Sequence, residues 1–214
     1  MRILAIDTAT ESCSAALLLD ERLLQREQLL ERGAAEAILP MVDELLTEAG
    51  VRLSMLSAIA FGAGLKVVPV SDLRALAQRV LDDARAIERV LVCTDARMQE
   101  VYWGCFERAA DGFARACGGE HVTGPGEVRL PSPWRSASEA APGDLAGAGS
   151  GFTAYPRLRA ELGLEIVLGG LLPRAVEVAR LAVGEVAAGR ILSAEQALPV
   201  YLRDDVTRAP PAAS

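Results

Sequence analysis

The amino-acid sequence predicts an α/β fold built from two related halves. Apolar, strand-like runs alternate with amphipathic helical segments, and an order of strands followed by a helix occurs twice along the chain. Each copy opens with an apolar strand that ends in aspartate, Ile3–Asp7 in the first and Arg89–Asp95 in the second. Repetition of this kind indicates a duplicated architecture, with halves that we place at residues 1–86 and 87–214.

The composition is typical of a folded globular protein. Of the 214 residues, 51% are hydrophobic and 24% are charged, which allows a substantial core. No apolar run reaches the length of a membrane span, and the N-terminus lacks the pattern of a secretion signal. We therefore expect a soluble, cytoplasmic protein that does not contact membranes.

The charge argues against direct binding of nucleic acid. The formal net charge is −7, whereas binding of phosphates requires clustered lysine and arginine. If the protein takes part in RNA chemistry, we expect another protein to supply most of the basic surface.

The cysteines and the single histidine argue against a metal site. No pair of cysteines forms a C-x-x-C motif, and His121 alone excludes a two-histidine site within this chain. We expect the cysteines to be small buried side chains, with a disulfide between Cys93 and Cys105 as the alternative if the chain turns near Gln99. The four cysteines are Cys13, Cys93, Cys105 and Cys117.

In the first half, Ile3–Asp7 is followed by strands at Cys13–Leu19 and Arg22–Leu29, joined by the polar turn Asp20-Glu21. A helix at Ala35–Ala49 then carries apolar residues at helical spacing. Pro40 must lie in its first turn or kink it, and Gly50 ends it. Short strands follow at Ala58–Gly62 and Lys66–Val70, and Ser71 caps a helix that runs to about Arg85.

The second half repeats this order. The predicted elements are strands Arg89–Asp95, Glu100–Glu107, Phe113–Val122 and Glu165–Leu168 and helices Thr153–Leu162 and Arg174–Ala188. The stretch Gly118–Gly151 is rich in Gly, Pro and Ser and is predicted to be mostly loop. The repeated pattern predicts a duplicated actin-like ATPase (ribonuclease-H-like) fold, with a mixed sheet beginning in an antiparallel hairpin in each subdomain.

One junction is too short for this fold. Only Ala63-Gly64-Leu65 separates strand Ala58–Gly62 from strand Lys66–Val70, whereas parallel neighbours need a crossover of about a dozen residues. We expect either additional residues between Ile59 and Leu65 or, if the chain is continuous there, an antiparallel hairpin.

Ordered segments along the whole chain match one known family. They are Ile3–Ser14, Ile38–Val42, Ser57–Gly62, Asp95–Gly104, Gly149–Phe152 and Pro199–Arg203. On these segments, of which Asp95–Gly104 is the most specific, the chain resembles the TsaB (YeaZ) family. It departs from that family's pattern after Gly62, where a Gly-rich loop and a second helix are missing, and at Ala34, where relatives often have histidine.

The resemblance implies a non-catalytic partner subunit. Such proteins bind the catalytic sister TsaD through their N-terminal helices, and the ATPase TsaE joins the assembly. The complex transfers a threonylcarbamoyl group to N6 of the adenosine beside the anticodon of tRNA. By the same resemblance, this chain needs no cofactor of its own, ATP and magnesium are bound mainly by partner subunits, tRNA is contacted indirectly, and the same helices can form a homodimer.

The helix Ala35–Ala49 is the candidate partner surface because its apolar arc is broader than covering one sheet requires. The candidate residues are Ile38, Leu39, Met41, Val42, Leu45 and Leu46. Leu39, Met41 and Leu46 lie towards the two flanks of the arc, so we expect at least some of them to be exposed in an isolated chain. The alternative is that other helices of the same chain cover them.

A second candidate site is a vestigial nucleotide cleft. Its candidate residues are Asp7, Thr8, Thr10, Ser12 and Asp95. The alternative, which we favour, is that Asp7 and Asp95 cap their own loops, since no phosphate-binding P-loop is present. We likewise expect Asp95, Arg97 and Glu100 to form a salt-bridged turn, or an interface between two halves of a protein, rather than a catalytic set. We expect Gly149-Ser150-Gly151 to be a turn into a helix.

Two enzymatic alternatives compete with the partner subunit: an actin-like ATPase or kinase, and a glycoprotease-type metallopeptidase. The first needs phosphate loops that are degenerate here, and the second needs a set of metal ligands that a chain with one histidine does not offer. We therefore expect the purified chain to neither hydrolyse ATP nor cleave proteins.

Overall fold

The structure is a computed structural model that describes residues 2–8, 11–30, 33–56, 66–135, 143–193 and 196. The elements of the first half are β1 Arg2–Asp7, β2 Ser12–Leu19, β3 Arg22–Leu29, α1 Ala34–Ala49, β4 Lys66–Val67 and α2 Asp72–Asp83. Those of the second half are β5 Arg89–Asp95, β6 Val101–Arg108, β7 Ala114–Ala116, β8 His121–Thr123, α3 Ser132–Arg135, β9 Leu145–Ala148, α4 Gly151–Ala154, α5 Arg157–Glu161, β10 Ile166–Leu168, α6 Ala175–Ala187 and β11 Leu192–Ser193.

The N-terminal sheet confirms the predicted hairpins. Strands β1, β2 and β3 pair antiparallel in that order, and Asp20 makes the turn between β2 and β3 with a left-handed φ of 51°. Helix α1 packs on β2 and β3 and ends at Gly50, as the sequence predicts. The predicted strand Ala58–Gly62 lies outside the described residues, and so does the short junction that follows it.

The C-terminal sheet is mixed, as predicted. Its strand order is β10-β9-β5-β6-β7, with β8 also paired to β6. β5 and β6 form the antiparallel hairpin, whereas β9 and β10 run parallel to β5. β5 is therefore central, with its aspartate at one end of the sheet.

The structure corrects several predicted elements of the second half. The single strand Phe113–Val122 is two strands, β7 and β8, because Gly118 adopts a φ of 115° between them. The predicted loop Gly118–Gly151 contains β8, α3 and β9, and β9 occupies the place between β5 and β10. The helix Thr153–Leu162 is divided into α4 and α5, and Pro156 forms the N-cap of the second piece.

Strand β4 is shorter than the predicted Lys66–Val70 and pairs antiparallel with β11. It is followed by α2, and the Ser71 hydroxyl accepts a hydrogen bond from the Arg74 amide as the predicted cap. Helix α2 ends at Asp83, just before the predicted end at Arg85.

Two helices pack on the sheet of the opposite half. Helix α2 packs against β5, β6 and β7, where Leu76 and Val80 are fully buried. Helix α6 packs against β1 and β2 through Ala175 and Ala179. The Ser14 hydroxyl accepts from the Ala175 amide at 3.1 Å, and this bond fixes the start of α6 on β2. The N-terminal sheet thus lies between α1 and α6.

Across the described ranges, each helix is either too short or too polar to cross a membrane.

Candidate functional site

Helix α1 buries most of its predicted partner surface on its own sheet. Relative exposure is 8% or less for all of the predicted residues except Leu39, which is 70% exposed. The expectation that at least some of the flank residues are exposed is therefore confirmed by Leu39, whereas Met41 and Leu46 are buried. These two side chains belong to the apolar cluster that α1 forms with Leu4 and Leu17 of the sheet beneath it.

Ion pairs show which flank of α1 lies over β3 and which flank is exposed to solvent. The Arg26 guanidinium of β3 lies 3.1 Å from the Glu44 carboxylate and 2.6 Å from that of Glu48. The flank that carries these glutamates therefore lies over β3. Leu39 is roughly 140° around the helix axis from Glu44 at 3.6 residues per turn, so it projects from the opposite flank, away from β3.

Further apolar side chains are exposed just after α1. Leu53 is 49% exposed and Met55 is 39% exposed in the short 3-10 turn that follows the helix. A single exposed leucine is ordinary on a protein surface. Leu39 is unusual because most of its side chain is in solvent, whereas the other large apolar side chains of the helix are buried.

The predicted nucleotide residues near the end of β1 differ in their burial. Asp7 is buried and Thr8 is exposed, whereas Thr10 lies outside the described residues. The buried Ser12 hydroxyl donates to the Glu27 carboxylate at 2.9 Å. This contact occupies the hydroxyl and places a carboxylate beside it, whereas a phosphate site needs donors or cations.

Asp95 caps its own loop. Its carboxylate accepts from the Arg97 amide at 3.1 Å and lies 3.5 Å from the Arg97 guanidinium. Its backbone N–H donates to the Ser150 hydroxyl at 3.1 Å. The expectation of a salt-bridged turn is thus confirmed for Asp95 and Arg97. Among the described residues, no cluster of His, Cys, Asp and Glu side chains is arranged to hold a metal ion.

The turn between β5 and β6 has an unusual backbone conformation that the sequence does not predict. Arg97, Met98 and Gln99 adopt φ values of 63°, 51° and 62°, all left-handed. The turn is closed by hydrogen bonds from the Ala96 amide to the Glu100 carbonyl and from the Glu100 amide to the Arg97 carbonyl. Left-handed geometry costs roughly 1–2 kcal/mol per residue with a side chain, so the fold holds this turn against local preference.

Replacing Gln99 with glycine is expected to stabilise the protein by about 1 kcal/mol, because glycine adopts positive φ without steric cost. The measurement is the midpoint of urea unfolding, with Gln99→Ala as the control that removes the side chain beyond Cβ and, because Cβ remains, keeps the strain. A loss of stability in the glycine variant would contradict the left-handed geometry.

The segment Gly149-Ser150-Gly151 is a tight turn into α4, as predicted. It packs closely against β5. A Cβ at Gly149 would lie 2.5 Å from the Cys93 carbonyl oxygen, and one at Gly151 would lie 2.6 Å from the Cys93 sulfur. Burial, with a smaller contribution from Asp95, raises the pKa of Cys93 to about 12. The Cys93 thiol is therefore protonated at neutral pH and serves packing.

Comparison with known proteins identifies relatives over nearly the whole chain, although no protein-family model matches it. The chain is 35% identical to the tRNA threonylcarbamoyladenosine biosynthesis protein TsaB of Escherichia coli over 229 aligned positions, covering 96% of each protein. It is 30% identical to TsaB of Haemophilus influenzae, covering 97% of this chain and 95% of the relative. The first alignment is longer than the chain itself, so that relative carries residues with no counterpart here.

Solved structures give the same relationship. The chain is 39% identical to YeaZ from Pseudomonas aeruginosa, with a TM-score of 0.80, and the match covers 94% of this chain and 99% of the other. A crystal structure of a protein with similarity to peptidase YeaZ, also from P. aeruginosa, gives a TM-score of 0.84 at the same identity and coverage. The fold is accordingly the actin-like, ribonuclease-H-like α/β fold with mixed sheets, and the chain belongs to the TsaB (YeaZ) family.

Proposed function

We propose that this protein acts in the biosynthesis of threonylcarbamoyladenosine in tRNA, as a non-catalytic subunit that binds and supports a TsaD-type catalytic subunit. The TsaB relatives, which match 96% and 97% of the chain, support this pathway. The observation that carries the partner role is the exposed flank of α1, where Leu39 is 70% exposed although the other large apolar side chains of the helix are buried.

The partner role also accounts for the state of the candidate nucleotide residues. The Asp95 carboxylate is engaged by the Arg97 amide and guanidinium, and the Ser12 hydroxyl is engaged by Glu27. Groups occupied in this way would have to give up their bonds before they could hold a nucleotide. We therefore assign the binding of ATP and magnesium to the partners, a TsaD-type subunit and a TsaE-type ATPase.

The net charge of −7 supports a role in which this chain contacts tRNA only indirectly. In this arrangement the basic surface for tRNA belongs to another subunit, and a homodimer through α1 competes with the TsaD-type partner for the same flank.

Reconstitution of tRNA modification tests this function. TsaD-type and TsaE-type proteins are incubated with tRNA, ATP and the threonylcarbamoyl donor, with and without this chain, and the modified nucleoside is quantified by mass spectrometry. We expect modification to depend on the chain, and the chain alone to show neither ATP hydrolysis nor proteolysis. ATP hydrolysis by the chain alone, abolished by Asp95→Asn and retained in the surface control Asp111→Asn, would instead establish an actin-like ATPase.

A further inference from the structure

Cys105 lies on strand β6 of the C-terminal sheet, and Cys117 directly follows the end of the neighbouring strand β7. Strands β6 and β7 pair antiparallel, with Phe106 opposite Ala116. One step beyond that pair, where the ladder ends, the Cys117 amide donates to the Cys105 carbonyl at 2.8 Å, and this bond places the two cysteines opposite each other in the position of a hydrogen-bonded pair. Such pairs have Cα atoms about 5.5 Å apart, close to the most common separation in disulfides.

The two side chains lie on the same face of the sheet. Both belong to the apolar cluster beneath β5 and β6, in which Cys105 is 5% exposed and Cys117 is half-buried at the edge. Both thiols are free. An oxidant in solution can therefore reach Cys117 first, with Cys105 directly behind it.

Cys93 is a poorer partner for either thiol. It lies opposite Trp103, whereas Cys105 lies opposite Leu91, so Cys93 and Cys105 are diagonal neighbours about 7–8 Å apart. Cys93 is also completely buried, under Gly151.

The backbone next to Cys117 can adjust to a new bond. More residues separate Ala116 from His121 than separate their partners Phe106 and Trp103 on β6, so the edge strand bulges here. Gly118 and Gly119 lie in this bulge, and Gly118 has a φ of 115°. Glycine gives this segment the conformational freedom that closing a disulfide requires.

We propose that Cys105 and Cys117 form a dithiol site that closes to an intrachain disulfide on reaction with a small-molecule disulfide. The Cys117 thiolate attacks one sulfur of the oxidant, breaks its S–S bond and releases one thiol. The Cys105 thiol then loses its proton to solvent and attacks the Cys117 sulfur, releasing the second thiol. The protein loses two electrons and two protons, and the small disulfide is reduced to two thiols.

The charges around Cys117 set the rate of this reaction. Burial, followed by the hydrogen bond to Glu107, raises the pKa of the Cys117 thiol to about 11, and Arg115 acts in the opposite direction. The thiolate is thus scarce at neutral pH, and oxidation should accelerate about tenfold per pH unit between pH 7 and 9. Glu107→Gln removes the negative charge and leaves Arg115 in place, so it should lower the pKa and accelerate oxidation at neutral pH.

The test uses the full chain, oxidised glutathione and tryptic peptide mapping, because cleavage after Arg97, Arg108 and Arg115 places Cys93, Cys105 and Cys117 on separate peptides. We expect the Cys105 and Cys117 peptides to become linked, and dithiothreitol to separate them. Cys105→Ser should instead trap glutathione on Cys117, and Cys93→Ala should leave the linkage unchanged.

Other products would overturn the proposal. These are a Cys93–Cys105 linkage, a Cys117–Cys117 linkage between chains, and a glutathione adduct that persists on Cys117 while Cys105 stays reduced. Glu107→Gln provides a test that does not remove a cysteine, and a rate unchanged or slower in that variant would also contradict the assignment.

Discussion

Replacing Leu39 with glutamate is expected to weaken binding of the TsaD-type partner by about 2 kcal/mol or more, roughly 30-fold in Kd. The charge would lie at the centre of the contact, where loss of water cannot be compensated by a partner group. Folding of the isolated chain should change little, because Leu39 is 70% exposed and the buried face of α1 is untouched. Isothermal titration calorimetry gives the affinity, and thermal unfolding gives the stability.

The matched control is Leu29→Glu. Leu29 is 72% exposed and lies on β3, the side of α1 opposite to the Leu39 flank. We expect this variant to bind normally. If Leu39→Glu stays folded and binds as well as the control, the partner surface lies elsewhere on the molecule.

Replacing Gly149 with alanine is expected to destabilise the fold by roughly 2–5 kcal/mol, through positive-φ strain and overpacking. The residue has a φ of 107°, and its added Cβ would lie 2.5 Å from the Cys93 carbonyl oxygen, which is backbone of the central strand β5 and cannot rotate away. The same shift would disturb the bond between the Ser150 hydroxyl and the Asp95 amide.

Gly163→Ala separates the two contributions. Gly163 also has a positive φ, of 65°, but a Cβ there would meet nothing within 4 Å. It should cost only the conformational strain, about 1 kcal/mol. Urea unfolding measures both variants, and equal losses of stability would contradict the close packing of Gly149 on β5.

The sequence pattern predicts the parts of the fold that depend on local signals. Alternation and turn residues locate the hairpins, and the Ser71 cap and Gly50 locate helix ends within a few residues. β9 was missed because Leu145–Ala148 consists mainly of small residues, without the β-branched or aromatic side chains that are typical of strands.

Long-range packing is not predictable in the same way. A hydrophobic stripe shows that a helix is buried but not which sheet buries it, so the packing of α2 on the C-terminal sheet and of α6 on the N-terminal sheet required the structure. The same limit applies to α1, where Met41 and Leu46 have the pattern of a flank and are nevertheless buried. The left-handed turn Arg97–Gln99 contains no glycine or asparagine, the residues that favour positive φ, so the sequence does not predict it.

The mass of the complex in solution tests the central claim most directly. The purified chain is mixed with the TsaD-type protein of the same organism, and the eluting species are measured by size-exclusion chromatography with light scattering. The partner role predicts a single species with the summed mass of the two proteins, formed by the wild-type chain and by Leu29→Glu but not by Leu39→Glu. Separate elution of the wild-type chain and the TsaD-type protein at micromolar concentration would contradict it.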